Sequence, residues 1–286
     1  MTTRRRFFAA AGLAACGSRL KSADVSAKLD RISVLSWSFH TLWESGSNAA
    51  SSWNVLDYPE LLADRYGIHN VEVQDTNFDS TEPSYFQEFR KRLASANSRL
   101  VNMALELDKH GNPPRISSTD PDVRGRAVEL TKEWINHAAN LGCPSVMVNQ
   151  GSNLSSEDVP VTVAALKTLV AYGKPRNVAI TMENRGKTNP DLLPQMMRAS
   201  GSFANPDIGN FPDDATRARS LPELFPLAHH MCHVKMNPDK YDVTKYIRLS
   251  KDLGYKGLYS IEAGTDRKRD PYADVQSILN VLLREL

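Results

Sequence analysis

The chain has 286 residues, 41% of them apolar and 24% charged, with no long polar low-complexity tract, which suits one large globular domain. Its 35 basic and 33 acidic side chains leave a formal net charge of +2, and several of the basic ones fall in the first 21 residues. The remainder is near neutral and lacks the electrostatic footprint of a nucleic-acid binder. No apolar run approaches the roughly 20 residues that a membrane-spanning helix needs.

The first segment, TTRRRFFAAAGLAACG, sets three arginines (Arg4, Arg5, Arg6) directly before a bare Phe/Ala/Gly/Leu run. A basic amphipathic first helix is the poorer reading of that order. Residues 1–27 are expected to be an export signal with a short linker, resembling a bacterial twin-arginine signal. Leu13-Ala14-Ala15-Cys16-Gly17 also resembles a lipobox, whose cysteine becomes the lipidated N-terminus. That implies a periplasmic protein, tethered to the membrane by lipid on Cys16. Cleavage at Val25-Ser26-Ala27 is the rival and gives a soluble product. With Cys16 so assigned, Cys143 and Cys232 remain, expected three strands apart and too distant to bridge.

From residue 29 onward, short apolar runs alternate with longer amphipathic ones. The expected strands are ISVLSW (32–37), NVEVQ (70–74), LVNMALEL (100–107), SVMVN (145–149), VAITME (178–183), SFANPD (202–207), MCHVK (231–235) and LYSIE (258–262). Pro206 restricts the sixth to a strand end. The expected helices are YPELLADRYG, SYFQEFRKRLASAN, DVRGRAVELTKEWINHAANLG, VTVAALKTLVAYG, DLLPQMMRASG, SLPELFPLA, DVTKYIRLSKDLG and YADVQSILNVLLREL. Pro59 near a first turn and Gly67 at a C-cap position mark the first of them. Phe86, Phe89 and Leu93 share one face of the second.

Strict alternation of strands and helices indicates a parallel sheet. Eight units over residues 28–286 match a single-domain (β/α)8 TIM barrel, which typically needs about 250 residues. A doubly wound open sheet would want a glycine-rich phosphate loop after its first strand, and SWSFHTLWESG has none.

In a barrel the chemistry gathers where the strands end. Glu183 closes the fifth expected strand, Asp207 the sixth and Glu262 the eighth, while His233 sits late in the seventh. Alternation puts Ala179, Thr181 and Glu183 on one face of their strand, and Ser260 with Glu262 on one face of theirs. Each residue alone has an ordinary reading: a cap, an ion-pair partner, a core histidine, a turn aspartate before Gly209. Together, at corresponding heights on four neighbouring strands, the three carboxylates would repel one another unless a cation held them. Three oxygens and one imidazole nitrogen suit one divalent ion of manganese, magnesium, cobalt, iron or zinc.

MENRG, NPDIGNF, HVKMN and IEAG resemble the metal-binding strand ends of the xylose isomerase-like TIM-barrel superfamily, also called the sugar phosphate isomerase/epimerase group. That group includes ketose 3-epimerases, hydroxypyruvate isomerase, inosose dehydratase and endonuclease IV. The resemblance covers residues 31–286, with specific motifs in the second half. It implies a Glu, Asp, His, Glu quartet around one divalent metal at Glu183, Asp207, His233 and Glu262. Two positions depart from the pattern. Ketose epimerases carry a histidine three residues after the ligand aspartate, where this chain has Asn210. Many relatives have a histidine after the Glu-Asn pair, where it has Arg185. The endonuclease members need a larger histidine cluster, which this chain lacks in those motifs.

The expected reaction on a sugar or keto-sugar is proton abstraction next to a carbonyl through a metal-held enediolate. Glu183 and Glu262 approach from different sides, so one would remove the proton and the other return it, giving isomerisation or epimerisation. The same intermediate would expel a neighbouring leaving group, as in a lyase acting on 3-keto-glycosides. A non-catalytic, lipid-anchored sugar-binding protein is the alternative from another class. Lys235 and Asn210 are further candidates for holding substrate oxygens, with an ion pair as the alternative role of Lys235. Trp37, Phe39, His40 and Trp43 form an aromatic patch that would stack on sugar or pack a lid. Nothing in the sequence raises Glu72, Glu106 or His110 above ordinary loop or strand residues.

Overall fold

The computed structural model describes residues 22–44, 54–108, 113–148, 150–151, 153–186, 188–264 and 269–286. The arginines and Cys16 of the expected export signal lie outside the described residues, as does His110. Eight short strands form one all-parallel sheet: β1 (Ile32–Leu35), β2 (Asn70–Gln74), β3 (Arg99–Ala104), β4 (Ser145–Met147), β5 (Ala179–Glu183), β6 (Phe203–Asn205), β7 (Met231–Val234) and β8 (Leu258–Ile261). Their order is β6-β5-β4-β3-β2-β1-β8-β7. The seam between β6 and β7 is thin, because Pro206 lacks the N–H that would extend the β6 ladder. It closes through bridges pairing Ala204 with Ala228 and Asp207 with His233. There the His233 N–H donates to the Pro206 carbonyl at 2.8 Å, and the Ile208 N–H to the His233 carbonyl at 3.0 Å. The chain is a (β/α)8 TIM barrel.

The described helices are α1 (Ser22–Leu29), α2 (His40–Glu44), α3 (Tyr58–Tyr66), α4 (Pro83–Ser95), α5 (Pro121–Leu141), α6 (Val159–Gly173), α7 (Leu192–Ser200), α8 (Asp214–Leu224), α9 (Val243–Asp252) and α10 (Pro271–Glu285). Local chemistry sets their ends. Asp120, Asp213, Asp242 and Asp270 accept backbone N–H groups at the starts of α5, α8, α9 and α10, the usual N-cap role of a short acidic side chain. Gly67, Gly142 and Gly201 end α3, α5 and α7 in the left-handed region.

Several expectations need correction, among them the third strand, which ends at Ala104 and not at residue 107. The first strand stops at Leu35, not residue 37, and turns into a 3-10 segment (Ser36–Phe39). Ser36 Oγ accepts the Gln74 N–H at 2.9 Å and donates to Asn77 Oδ1 at 2.5 Å, which tethers that turn to the end of β2. The helix expected at 220–228 begins at Asp214 instead, because the Asp213 cap outweighs Pro222, which the helix tolerates within its interior. The four rim residues do not share one ladder level either. Glu183 pairs with Asn205, two residues before Asp207; His233 pairs with Ser260, two residues before Glu262. Strand tilt and stagger in a closed barrel bring such offset positions together.

The outer faces of the strands pack on the helices. Val71 and Val73, Ile180 and Met182, and Tyr259 and Ile261 are all buried in that main core. The lumen is different: Ser33, Asn70, Glu72, Asn102, Ser145, Thr181, His233 and Ser260 are buried polar side chains on the strands. Such groups are costly in a barrel interior unless hydrogen-bonded. Arg99 Nε donates to Asn70 Oδ1 at 2.8 Å, and Asn70 Nδ2 to the Ile32 carbonyl at 3.0 Å. Above this polar layer Leu35, Ala104 and Met147 form a small separate apolar cluster with Trp37 packed against it. Cys143 and Cys232 are free and buried, and burial pushes each thiol up to about 12.

Candidate metal centre

Glu183, Asp207, His233 and Glu262 each offer one ligand atom, and those atoms lie within 4.8 Å of one another. The expected quartet is therefore assembled at the C-terminal ends of β5 to β8. His233 is fully buried. Its Nδ1 is 2.8 Å from Glu183 Oε1 and 3.0 Å from Glu262 Oε2. On the other side of the ring, Nε2 is 3.0 Å from Glu72 Oε1.

The motif residues flanking the quartet hold it in place. Asn184 Oδ1 accepts the Asp207 N–H at 2.8 Å, while its Nδ2 donates to the carbonyls of Asp207 at 2.9 Å and Asn210 at 3.2 Å. That clamp fixes the backbone of β6 just where Pro206 has ended its ladder. Asp207 Oδ1 accepts the N–H groups of Gly209 at 2.6 Å and Asn210 at 3.1 Å, an Asx-type turn. One carboxylate oxygen thus serves the backbone and leaves Oδ2 for the site.

Lys235 reaches the same oxygens. Its Nζ lies 2.7 Å from Asp207 Oδ2 and 2.9 Å from Glu262 Oε1, and it donates to Asn210 Oδ1 at 2.9 Å. Lys235 and Asn210 are therefore bonded to each other, and Lys235 makes the ion pairs raised as its alternative role. Arg185, in the position where relatives carry a histidine, places Nε 3.2 Å from Glu183 Oε2 and grips Glu106 through both terminal nitrogens. Glu106 is held in turn by Asp75, whose carboxylate accepts the N–H groups of Glu106 and Leu107 at 2.8 Å each. Leu107 sits at φ 65°, a strained conformation for a branched residue.

The electrostatics follow from crowding. Burial raises the Glu183 carboxyl, but the His233 hydrogen bond, Lys235 and Arg185 outweigh it and hold the group far below the usual range. Burial also dominates at Asp207, where it overcomes Lys235 and, with Glu262 and Glu183 adding to it, pushes the carboxyl up to about 7. At His233 burial opposes charge, yet Glu72, Glu183 and Glu262 together raise the imidazole well above its ordinary value. Lys235 moves up likewise, its burial outweighed by Asp207, Glu262 and Glu183.

The donor set fits a divalent cation. Asp207 Oδ2 and Glu262 Oε2 are buried and accept no well-formed hydrogen bond, although Lys235 and His233 lie close by. Lone pairs left in that condition are what a cation would satisfy, and three carboxylates plus one imidazole suit manganese, magnesium, cobalt, iron or zinc.

Above the quartet opens a cavity of about 850 Å³, with Glu183, His233, Lys235 and Glu262 in its floor and Arg185 and Glu106 at its side. Leu35, Trp37 and Met147 give it one apolar wall. Trp37 stacks on His40 with ring centroids 4.2 Å apart. Phe39, grouped with them in the sequence, is instead fully buried against Tyr58 and Tyr272; the side chain of Trp43 lies outside the described residues. Glu72 and the Arg185–Glu106 pair were not legible as site residues. The alternation of Asn70, Glu72 and Gln74 with Val71 and Val73 was the one available signal for Glu72.

Comparison with known protein families matches residues 61–283 to the xylose isomerase-like TIM barrel. The chain belongs to that family. Among solved structures, a xylose isomerase domain protein from Planctomyces limnophilus is 18% identical, with TM-score 0.65 over 89% of this chain and 96% of that one. D-allulose 3-epimerase from Methylomonas sp. is 15% identical, with TM-score 0.68 over 90% and 98%. A xylose isomerase-like TIM barrel protein from Mycobacterium smegmatis, in complex with magnesium, is 15% identical, with TM-score 0.62 over 90% and 97%. Comparison with the curated proteins gives no match. At these identities the structural likenesses establish the fold, and for the xylose isomerase-like family that fold places its strand ends around one rim, where this quartet lies.

Proposed function

We propose that the chain is a metal-dependent sugar isomerase or epimerase that moves a proton on the carbon beside a carbonyl. The observation that carries this is the pair Glu183 and Glu262: two carboxylates from separate strands, both bordering the cavity and both against His233 Nδ1. Glu183, Asp207, His233 and Glu262 would hold one divalent ion, which supplies Lewis acidity to a carbonyl oxygen and its neighbouring hydroxyl. Glu183, kept ionised by His233, Lys235 and Arg185, has the charge state of a general base. Glu262, reaching the site from a different strand, returns a proton to the opposite face. Lys235 and Asn210 orient substrate oxygens at the cavity floor. The magnesium complex and the allulose epimerase among the fold relatives support this reading.

A second reaction draws on the same proton transfer. The cavity lies near the top of the roughly 300–1,000 Å³ range of small-molecule sites, more room than one sugar ring requires, and its Leu35–Trp37–Met147 wall is apolar. That shape favours a 3-keto-glycoside whose aglycone leaves by elimination. Incubation of metal-loaded protein with free ketoses and 3-keto-glycosides in D2O separates the cases. Exchange at the carbon beside the carbonyl that stops in Glu183→Gln supports the enzyme; aglycone release selects the elimination. Binding without exchange across both panels would favour a sugar-binding protein.

Export with lipid on Cys16 is likewise our proposal. Helix α1 contains Val25, Ser26 and Ala27 and is tied to α10 by Lys28 Nζ donating to the Leu283 carbonyl at 2.9 Å. Cleavage after Ala27 would cut through that helix, whereas processing before Cys16 leaves it whole. Mass spectrometry of the mature N-terminus distinguishes the two.

A further inference from the structure

Glu72 has no place in the quartet and does not border the cavity, yet it is a fully buried carboxylate. Three strands converge on it. Asn102 of β3 donates to its Oε1 at 2.7 Å, Ser260 of β8 donates to its Oε2, and His233 of β7 places Nε2 3.0 Å from Oε1. Asn102 accepts from Ser145 at its Oδ1, and its N–H group faces Glu72. Glu72 thus accepts at both oxygens, from Asn102 and from Ser260, the pattern of an acceptor-only carboxylate. The hydrogen between Glu72 and His233 therefore belongs to Nε2.

We propose that Glu72 is the positioning residue of the metal centre: by accepting the Nε2–H of His233, it leaves Nδ1, the nitrogen facing Glu183 and Glu262, as the one that can give up its hydrogen and offer a lone pair to a metal. The inference rests on the reading of the quartet as a metal site. An imidazole free to exchange tautomers would offer its lone pair to the quartet only part of the time, and one free to rotate would lose the aim of Nδ1. Carboxylate partners on the far nitrogen of a ligating histidine also raise its basicity as a ligand. The three-strand anchorage of Glu72 passes its rigidity through the ring to the rim.

Glu72→Gln keeps the shape. Its amide oxygen still accepts from His233 and Asn102, and its amide nitrogen can donate to Ser260, so the polar layer stays satisfied while the charge is lost. Glu72→Ala removes the acceptor altogether. Zinc and manganese affinities are measured by chelator competition, alongside metal-free melting temperatures, and the ring nitrogens of His233 are observed by long-range 1H–15N correlation in zinc-loaded protein. The expected result is wild-type coordination through Nδ1 with Nε2 protonated. Affinity should fall by roughly 10- to 100-fold in Glu72→Ala and by less in Glu72→Gln, with the single tautomer kept in Glu72→Gln. Unchanged affinity in Glu72→Gln and Glu72→Ala, or a wild-type spectrum showing zinc on Nε2, overturns the proposal; the spectrum decides even if a variant fails to fold. Wild-type protein that binds neither metal contradicts the metal-site reading itself, which is a different failure.

Discussion

Lys235 Nζ lies 2.7 Å from Asp207 Oδ2, the carboxylate oxygen that the Asx turn leaves to the site. The lysine is thus the resident counter-ion of the quartet when no other cation is bound, and it touches Glu262 as well. Lys235→Met leaves three buried carboxylates with one imidazole. Breaking a buried ion pair costs roughly 3–5 kcal/mol, so the metal-free variant should melt well below wild type. Saturating manganese should restore most of the loss, because the ion takes over the compensation. Differential scanning calorimetry with and without metal checks both halves.

The pH dependence of metal-free protein has a definite sign. Asp207 has a folded pKa of about 7, above the unfolded value near 3.8, so the stability associated with its protonated form is present below 3.8 and lost as pH rises to about 7. His233 is raised as well; its contribution is complete below about 6.5 and declines as pH rises towards the folded value. Glu183 is depressed, so its contribution is present above about 4.5 and is lost only in acid. Metal-free stability should therefore fall as pH rises from about 4.5 to about 7 with Asp207, and further above about 6.5 as His233 loses its proton. Metal loading at pH 6 should release about two protons, one each from Asp207 and His233. Titration calorimetry in buffers of different ionisation enthalpy measures that number.

Arg185 joins Glu183 to Glu106. Lysine at this position cannot span both carboxylates with a planar fork, so Arg185→Lys should let the Glu183 carboxylate rotate. The expected outcome is kcat lower by up to about 100-fold at unchanged metal occupancy, checked by steady-state kinetics beside elemental analysis.

Gly209 leaves room for Lys235. A Cβ there would stand 2.7 Å from Lys235 Cβ and 2.9 Å from its Cδ. Gly209→Ala should push the lysine off Asp207 and Glu262 and destabilise the protein by about 1–3 kcal/mol, as urea unfolding would show.

These relationships divide by how far apart in sequence their parts lie. The quartet was legible because Glu183, Asp207, His233 and Glu262 each fall near the end of an apolar run, one βα unit apart. The offset of their ladder levels was not, because it depends on strand stagger around the closed barrel. Glu72 was hidden because β2 is buried on both faces: the alternation of Asn70, Glu72 and Gln74 with Val71 and Val73 marks a polar face, but in sequence a polar lumen face reads the same as a solvent-facing one. Arg185 and Glu106 are 79 residues apart, and nothing local to either announces the other. The start of α8 was masked by Pro222, whose helix-breaking tendency is overridden by the Asp213 cap upstream.

The most direct test of the account is anomalous diffraction from crystals of the protein soaked in manganese. One peak is expected, with Glu183, Asp207, His233 and Glu262 all within roughly 2.0–2.3 Å of it and His233 bonded through Nδ1. No peak at saturating manganese, or a peak elsewhere with the four side chains arranged as in metal-free protein, would contradict it.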